Sequence, residues 1–414
     1  MTTLAVTRNA RMLLATAVIG VVCGLASAAF LTLLDAAMEV RASHGQIVWA
    51  LPLAGLVMGW LWHRYAGPTG QGSNLILHTL QDDTSETIPL RMAPLVLVGT
   101  LVTHLFGGSA GREGTAVQMG AALADQLANR VHVDAQIRKH LLVAGVAGGF
   151  GSVFGTPLAG AVFAVEWMIA GKLQLRFAPV ALLAAFIGDA VTERMGILHT
   201  PFPTVAVNLM NGELWLALAA LAIAVAMVAV LFMELTHAIK RGLGHWVPLA
   251  PLRPVVGAVA VVALWQWVGT DLYLGLGVPT IERAFLTPAL PLQVFALKLL
   301  FTSLTVGSGF PGGEVTPLFF IGAALGSALA PLLGLPPDVA AGVGLVALFG
   351  AAANTPLALG VMAAELMGLP MLLPALVVAA LATRLTGNRS LWPAQRSRPQ
   401  AEGERSIAAE PGRS

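Results

Sequence analysis

The sequence predicts an all-α polytopic membrane protein whose two halves repeat each other as short, tilted and broken helices. Three observations carry that prediction. First, 57% of the 414 residues are hydrophobic, only 11% are charged, and the mean hydropathy is +0.79, above the roughly 45–50% apolar content of soluble domains. Second, several apolar segments are too short to cross a hydrocarbon core of ~30 Å as straight helices. Third, a thirteen-residue stretch recurs late in the chain in the same register.

Long apolar segments lie near 12–34, 48–63, 92–106, 178–192, 213–236, 255–268, 292–306 and 370–384. The first is too long for the apolar core of a cleaved signal and is followed by further spans, so it reads as a retained helix. Arg8 and Arg11 precede it, while Arg384, Arg389, Arg396 and Arg398 crowd the far end. That bias places both termini on the cytoplasmic face of the cell (inner) membrane and requires an even number of crossings. Residues 1–11 read as a cytoplasmic N-terminus, 12–395 as one membrane domain with halves of about 12–195 and 210–392, and 396–414 as a disordered cytoplasmic tail rich in Arg, Glu, Pro and Ser. The net charge of +2 comes with no basic stripe interleaved with aromatics, so no nucleic-acid partner is expected. The single cysteine, Cys23, excludes an intramolecular disulfide and a cysteine-based metal cluster, and no cofactor is expected.

The shorter apolar segments, near 74–81, 113–127, 140–150, 157–170, 315–331, 338–352 and 356–367, are separated by Gly and Pro. Irregular backbone survives at membrane depth only where protein buries it or where it lines a wet cavity, so these breaks point to a path through the protein. They also repeat. TPLAGAVFAVEWM, from Thr156, and TPLALGVMAAELM, from Thr355, share 8 of 13 residues at an offset of 199, and MGAALA at Met119 matches IGAALG at Ile321 at an offset of 202. Two halves each carrying a broken helix are the mark of a repeat-built transporter with its site where the breaks meet.

The break in the first half is GGSAGREGTAVQMG, Gly107 to Gly120, where Arg112 and Glu113 stand together inside an apolar region. An ionisable group at mid-membrane costs roughly 2.5–3.5 kcal/mol on insertion scales, which makes such a residue a functional candidate. At the 202 offset Glu113 falls opposite Val315, and Gly114-Thr115 opposite Thr316-Pro317; both breaks run directly into helix starts. A helix start offers unpaired N–H groups and partial positive charge, a ready anion site. The carboxylate of Glu113 can occupy that site itself when charged and leave it when protonated. Such an exchange couples a proton to an anion. A carboxylate at a helix start also suits ordinary capping, and that structural role is the alternative.

GREGTAVQMG resembles the Gly-Arg-Glu-Gly-Pro motif of the CLC anion channels and transporters. GSGFPGGEVTPLF, Gly307 to Phe319, resembles their Gly-Gly-x-Phe-x-Pro motif, and TPLAGAVFAVE the stretch that follows the first; order and spacing agree over roughly residues 12–395. The resemblance implies the CLC architecture of two inverted halves, a homodimer with one anion pathway in each subunit, and Glu113 as the external gating glutamate.

The departures narrow the resemblance. The chloride-selecting Gly-Ser-Gly-Ile-Pro motif corresponds to Gly70-Gln71-Gly72-Ser73-Asn74, Ile-Phe-Ala-Pro to Glu314-Val315-Thr316-Pro317, and the last proline of Gly-Arg-Glu-Gly-Pro to Thr115. Trp167 stands where many proton-coupled chloride members carry an internal glutamate, and Trp392 stands about where they carry a pore tyrosine. GREGT and GGEVTPLF look like the CLC-type fluoride/proton antiporters, whose usual methionine and tyrosine are here Gln71 and Trp392. That likeness implies an exporter of cytoplasmic fluoride, with fluoride, protons and the lipid bilayer as its partners. Gln71, Gly72, Ser73, Asn74, Gly114, Thr115, Val315, Thr316 and Trp392 are then the expected anion-binding and selectivity residues, and Glu314 and Arg112 carry a proton-linked or electrostatic role. Fluoride holds its water more strongly than chloride, so a selective site needs short, strong donors; Thr316 and Asn74 can donate where Ile and Pro side chains cannot.

Other polar residues have blander readings. Glu166 and Glu365 sit at matching places and suit pairing with Arg112 or backbone capping, and Asn354 suits capping where a broken helix restarts. His104 suits a satisfied helix end or a proton relay; Lys298 suits snorkelling or local positive potential. Asp82, Asp83 and Glu86 read as a solvated loop. Two other functions stay open: a chloride-conducting CLC channel or chloride/proton exchanger, including an uncoupled channel of the same fold suggested by Trp167, and an intramembrane enzyme using His104 and Glu113. The enzyme lacks any zinc-type His-Glu-x-x-His, nucleophile elbow or phosphate loop.

Overall fold

The computed structural model describes residues 3–82, 87–286 and 290–397. Asp83, Glu86 and the tail from 398 on lie outside them. In the first half the chain forms α1 (Thr3–Ser43), α2 (Leu51–Leu61), α3 (Ser73–Gln81), α4 (Met92–Leu105), α5 (Glu113–Arg130), α6 (Ala135–Phe154), α7 (Pro157–Glu166) and α8 (Ala178–Arg194). The second half holds α9 (Gly212–Trp246), α10 (Arg253–Val268), α11 (Val278–Leu286), α12 (Leu292–Gly307), α13 (Val315–Leu333), α14 (Pro337–Ala353), α15 (Pro356–Met367) and α16 (Leu372–Thr386). A two-residue parallel ladder joins β1 (Ile169–Ala170) to β2 (Arg396–Ser397), so ordered pairing runs past residue 395. Asp82 is ion-paired to Arg396 at 2.8 Å rather than merely solvated.

Seven helical stretches among the described residues are long and apolar enough to cross a membrane. Every apolar segment named above falls on helix over most of its length, although 157–170 runs past the end of α7 into β1. Two things were not visible in the apolar runs. α9 continues through charged residues to Trp246, and α11 is a short helix that buries Thr280, Ile281, Ala284 and Phe285 while Glu282 and Arg283 face out. An amphipathic helix of this kind has no continuous apolar run to betray it.

The core is built on α5, α6, α13 and α14, which pack in two equivalent pairs. Small residues make the close approach: a β-carbon on Gly120 or Gly145 would run into the carbonyl of the other, and Gly322 and Gly344 repeat the relation in the second half. Backbones that touch in this way gain dispersion contacts that larger side chains would prevent. Leu216, Ile223 and Met227 of α9 and Val256 and Val259 of α10 are exposed, as a lipid-facing surface requires.

The halves are also latched together. The carboxylate of Glu166, at the end of α7, accepts from Leu357 N at 3.0 Å and Ala358 N at 2.7 Å, the first turn of α15. Glu365 of α15 returns the interaction, accepting from Leu158 N at 2.9 Å and Ala159 N at 2.7 Å in α7. Each acid therefore caps the other half's helix, where orphan donors and the helix dipole favour a carboxylate. Neither pairs with Arg112. Because Glu166 is only 6% exposed, Glu166→Ala leaves two buried donors unmet and is expected to cost about 2–4 kcal/mol of stability, read as a lowered midpoint in thermal unfolding followed by tryptophan fluorescence; an unchanged midpoint would rule out the capping role.

Candidate functional site

The two breaks cross at a pair of glycines. Gly111 N donates to Gly313 O at 2.6 Å and Gly313 N donates to Gly111 O at 2.8 Å, an isolated antiparallel bridge between residues 202 apart. A β-carbon on Gly313 would lie 2.8 Å from Gly114 N, so a larger residue would force the strands apart. Arg112 and Glu314 follow these glycines as the N-caps of α5 and α13, with nearly the same backbone angles. The helices leave this crossing as near-symmetric partners.

Glu113 is the first residue of α5 and is 1% exposed. Its side chain reaches across to the other half. Oε2 accepts from Thr316 N at 3.2 Å and from Arg112 N at 3.2 Å, while Oε1 accepts from the Thr316 hydroxyl at 2.5 Å. The Arg112 guanidinium lies 3.6 Å from Oε1. Val315 and Thr316 are the first two residues of α13 and are 3% and 5% exposed. The carboxylate thus sits on the N-terminus of α13, where unpaired N–H groups and the helix dipole favour negative charge.

Beside this point opens a cavity of about 800 Å³. Gln71, Gly72, Ser73, Asn74, Thr115, Glu314 and Trp392 line it, together with His63, His237, Lys240, Arg241 and Arg253. Arg112, Glu113, Gly114, Val315 and Thr316 do not line it; they form the crossing beyond it. Gly72 has φ +56° and starts α3, putting Ser73 at that helix's first position. Gln118 of α5 donates to the Ser73 hydroxyl at 3.4 Å and also lines the cavity. It was overlooked in the sequence, although it is the one polar side chain between Thr115 and Asp125.

Several expected donors have other partners. Asn74 Oδ1 accepts from Ala394 N at 3.0 Å and its amide lies 3.4 Å from Gln71 O, so it ties the segment after α16 to the α3 start, with one amide N–H committed locally. The Thr115 hydroxyl shares a hydrogen bond of 2.6 Å with Thr100. Asn354 ends α14 in the left-handed region and does not cap α15; its amide donates to Arg389 O and Gln395 Oε1, each at 3.0 Å. Lys298 does not snorkel: it is fully buried, donating to Tyr273 O at 3.1 Å and Gly275 O at 2.6 Å. Both ring nitrogens of His104 are spoken for by the carbonyls of Thr100 at 2.8 Å and Ala110 at 3.0 Å.

Trp392 is held from behind. Its ring meets Trp167 edge-on at 5.2 Å and Phe349 at 6.4 Å. Gln395, 8% exposed, donates to Trp167 O and Ala353 O at 2.9 Å and accepts from Asn354 and from Ser390 Oγ at 2.7 Å. All of its amide capacity is used. Trp167 stacks on Phe163, which neighbours Phe349, and Phe349 neighbours Phe319. This column of rings offers no titratable group.

A family profile described as voltage-gated chloride channel matches residues 54–387. The chain belongs to the CLC family. A CLC relative from Pseudomonas syringae pv. tomato, named a chloride/fluoride channel protein, is 42% identical over 94% of this chain and 86% of its own length. An H+/Cl− exchange transporter of Yersinia pestis is 28% identical over 97% and 91%. Among solved structures, a CLC-type fluoride/proton antiporter superposes with a TM-score of 0.90 at 34% identity, covering 96% of this chain and all of its own. A slow cyanobacterial Cl−/H+ antiporter superposes at 0.81 with 20% identity, a likeness of CLC fold.

Proposed function

We propose that this chain is a fluoride-selective anion/proton antiporter that expels cytoplasmic fluoride, with Glu113 as its protonatable gate. The observation that carries the reading is the Glu113 carboxylate seated on the start of α13 by the Thr316 N–H and hydroxyl. The same donors suit fluoride, whose strong hydration has to be replaced by short hydrogen bonds. The likeness to a fluoride/proton antiporter and to a chloride/fluoride channel protein supports that choice of anion.

The orientation follows from charge. His63, Lys240, Arg241 and Arg253 line the cavity, so we read it as the cytoplasmic vestibule, on the side where the Lys/Arg bias of the sequence also puts both termini. Fluoride reaches the crossing through this vestibule and competes with the ionised Glu113. Protonation from outside removes the charge that holds the carboxyl on α13, fluoride takes its place, and the proton is later released inward. With rings alone along the Phe163–Trp167 column, two carboxyls meet the vestibule, Glu234 and Glu314; Glu234 is paired with Arg389 at 3.0 Å, which leaves Glu314 for the proton. The assembly is a homodimer with one pathway per subunit; exposed Leu182 and Phe186 on α8 and Leu373 on α16 supply apolar contact surface.

Proteoliposomes loaded with fluoride or chloride test the reading. Fluoride is expected to leave fast, chloride slowly, and the external medium to become alkaline as protons enter. Chloride leaving as fast as fluoride would overturn the selectivity, and an imposed proton gradient that fails to drive fluoride uphill would make the protein an uncoupled channel.

A further inference from the structure

Two cations meet on one glycine at the other end of α1. Lys298 of α12, with no exposed surface, places Nζ 2.6 Å from Gly275 O, and the Arg41 Nη2 lies 3.6 Å from where a β-carbon of Gly275 would stand. Gly275 has φ +57°, so no side chain intervenes. The Arg41 Nε is buried without a hydrogen-bond partner. Among the described residues no carboxylate comes within ion-pair distance of either cation. Asp271, the acid in the adjoining turn, accepts from Trp265 Nε1 at 2.6 Å, and its charge reaches Arg41 from beyond ion-pair distance. His104, behind them, is held by backbone carbonyls, and the remaining neighbour of Lys298 is the Phe320 ring, 5.2 Å from Nζ.

Two half-buried or buried cations set side by side repel each other, and Asp271 offsets Arg41 only from beyond ion-pair distance. A bound anion relieves that repulsion. The place is also connected to the gate. Gly275 N donates to Gly108 O at 3.1 Å, inside the break that leads to Glu113, and Ser109 of that break bonds Thr302 Oγ1 at 2.9 Å and Thr305 Oγ1 at 3.1 Å on α12. We propose that Arg41 and Lys298 form a second anion site, on the extracellular side of Glu113, which takes a small monovalent anion as it leaves. The assignment of side rests on the orientation given above; the site itself does not.

Bromide soaked into crystals of the full-length protein is expected to give an anomalous peak within hydrogen-bond reach of the Arg41 guanidinium, and Arg41→Gln is expected to abolish it. In proteoliposomes the same variant should slow fluoride efflux by about 3–10-fold at low ionic strength, with the gap closing in concentrated gluconate, as expected for lost electrostatic attraction. Protons moved per fluoride should stay unchanged, because Glu113 is untouched. A peak that survives in Arg41→Gln, no peak in the unaltered protein, or efflux insensitive to the variant would each overturn the proposal. Lys298→Met is the less useful probe, since removing a fully buried side chain risks the fold. Failure of fluoride selectivity would leave the bromide peak in place, so the two readings fail separately.

Discussion

Glu113→Gln is expected to abolish proton-coupled fluoride transport while fluoride binding survives. Glutamine is nearly isosteric, so α5 and the Gly111–Gly313 bridge remain as they are. Its carboxamide carries no charge, so the N-terminus of α13 and the nearby Arg112 guanidinium hold it far less strongly than they hold the carboxylate. The side chain therefore leaves α13 and stays uncharged at every pH. With no carboxylate competing, fluoride keeps its donors, and the proton loses its carrier. Proton uptake should drop by at least ~10²-fold, the lower end of what a positioned proton-transfer group contributes. Parallel recordings with fluoride and pH electrodes on proteoliposomes, and calorimetric titration of fluoride, check both halves. Undiminished proton uptake would remove Glu113 from the gate.

A second large effect is expected from Glu314→Gln. This residue caps α13 as Arg112 caps α5, and one carboxylate oxygen lies 4.0 Å from where a β-carbon of Gly114 would stand. It faces the vestibule with Lys240, His237 and Glu234 in the same wall. A proton leaving Glu113 for the cytoplasm meets Glu314 there, because the route past Trp167 is lined with rings. Glutamine cannot accept and release that proton, so proton flux should fall by at least about tenfold, a conservative share of a transfer group's usual contribution, while fluoride binding persists. Equal loss of fluoride binding would instead make Glu314 part of the anion site. Normal coupling would mean that the proton leaves by another path.

Much of this site was legible in the sequence because membrane proteins expose their irregularities. Glu113 stood out as an acid in an apolar region, and the glycines around it marked a break that lipid would not tolerate. The 202 offset sets Glu113 opposite Val315 and Gly114-Thr115 opposite Thr316-Pro317 from the chain alone. Side-chain partners were not legible in the same way. Asn74 has the chemistry of an anion donor, and the orientation of its amide is set by Ala394, 320 residues away, which donates to its oxygen. Gln118 and Gln395 carry no local signature, and each matters through bonds to distant residues.

The sequence by itself determined the membrane class, the helix segments, the two-half repeat and the family frame, since hydropathy, helix breaks and internal identity are properties of the chain read in order. Only the tertiary structure decided which half each acid serves. Glu166 and Glu365 cap each other's helices, and Glu113 reaches over to α13. The bonds that Thr316 donates to Glu113 and their counterparts are contacts across a fold, set by how two inverted halves pack at Gly111 and Gly313, and a linear pattern does not contain the distance between its parts.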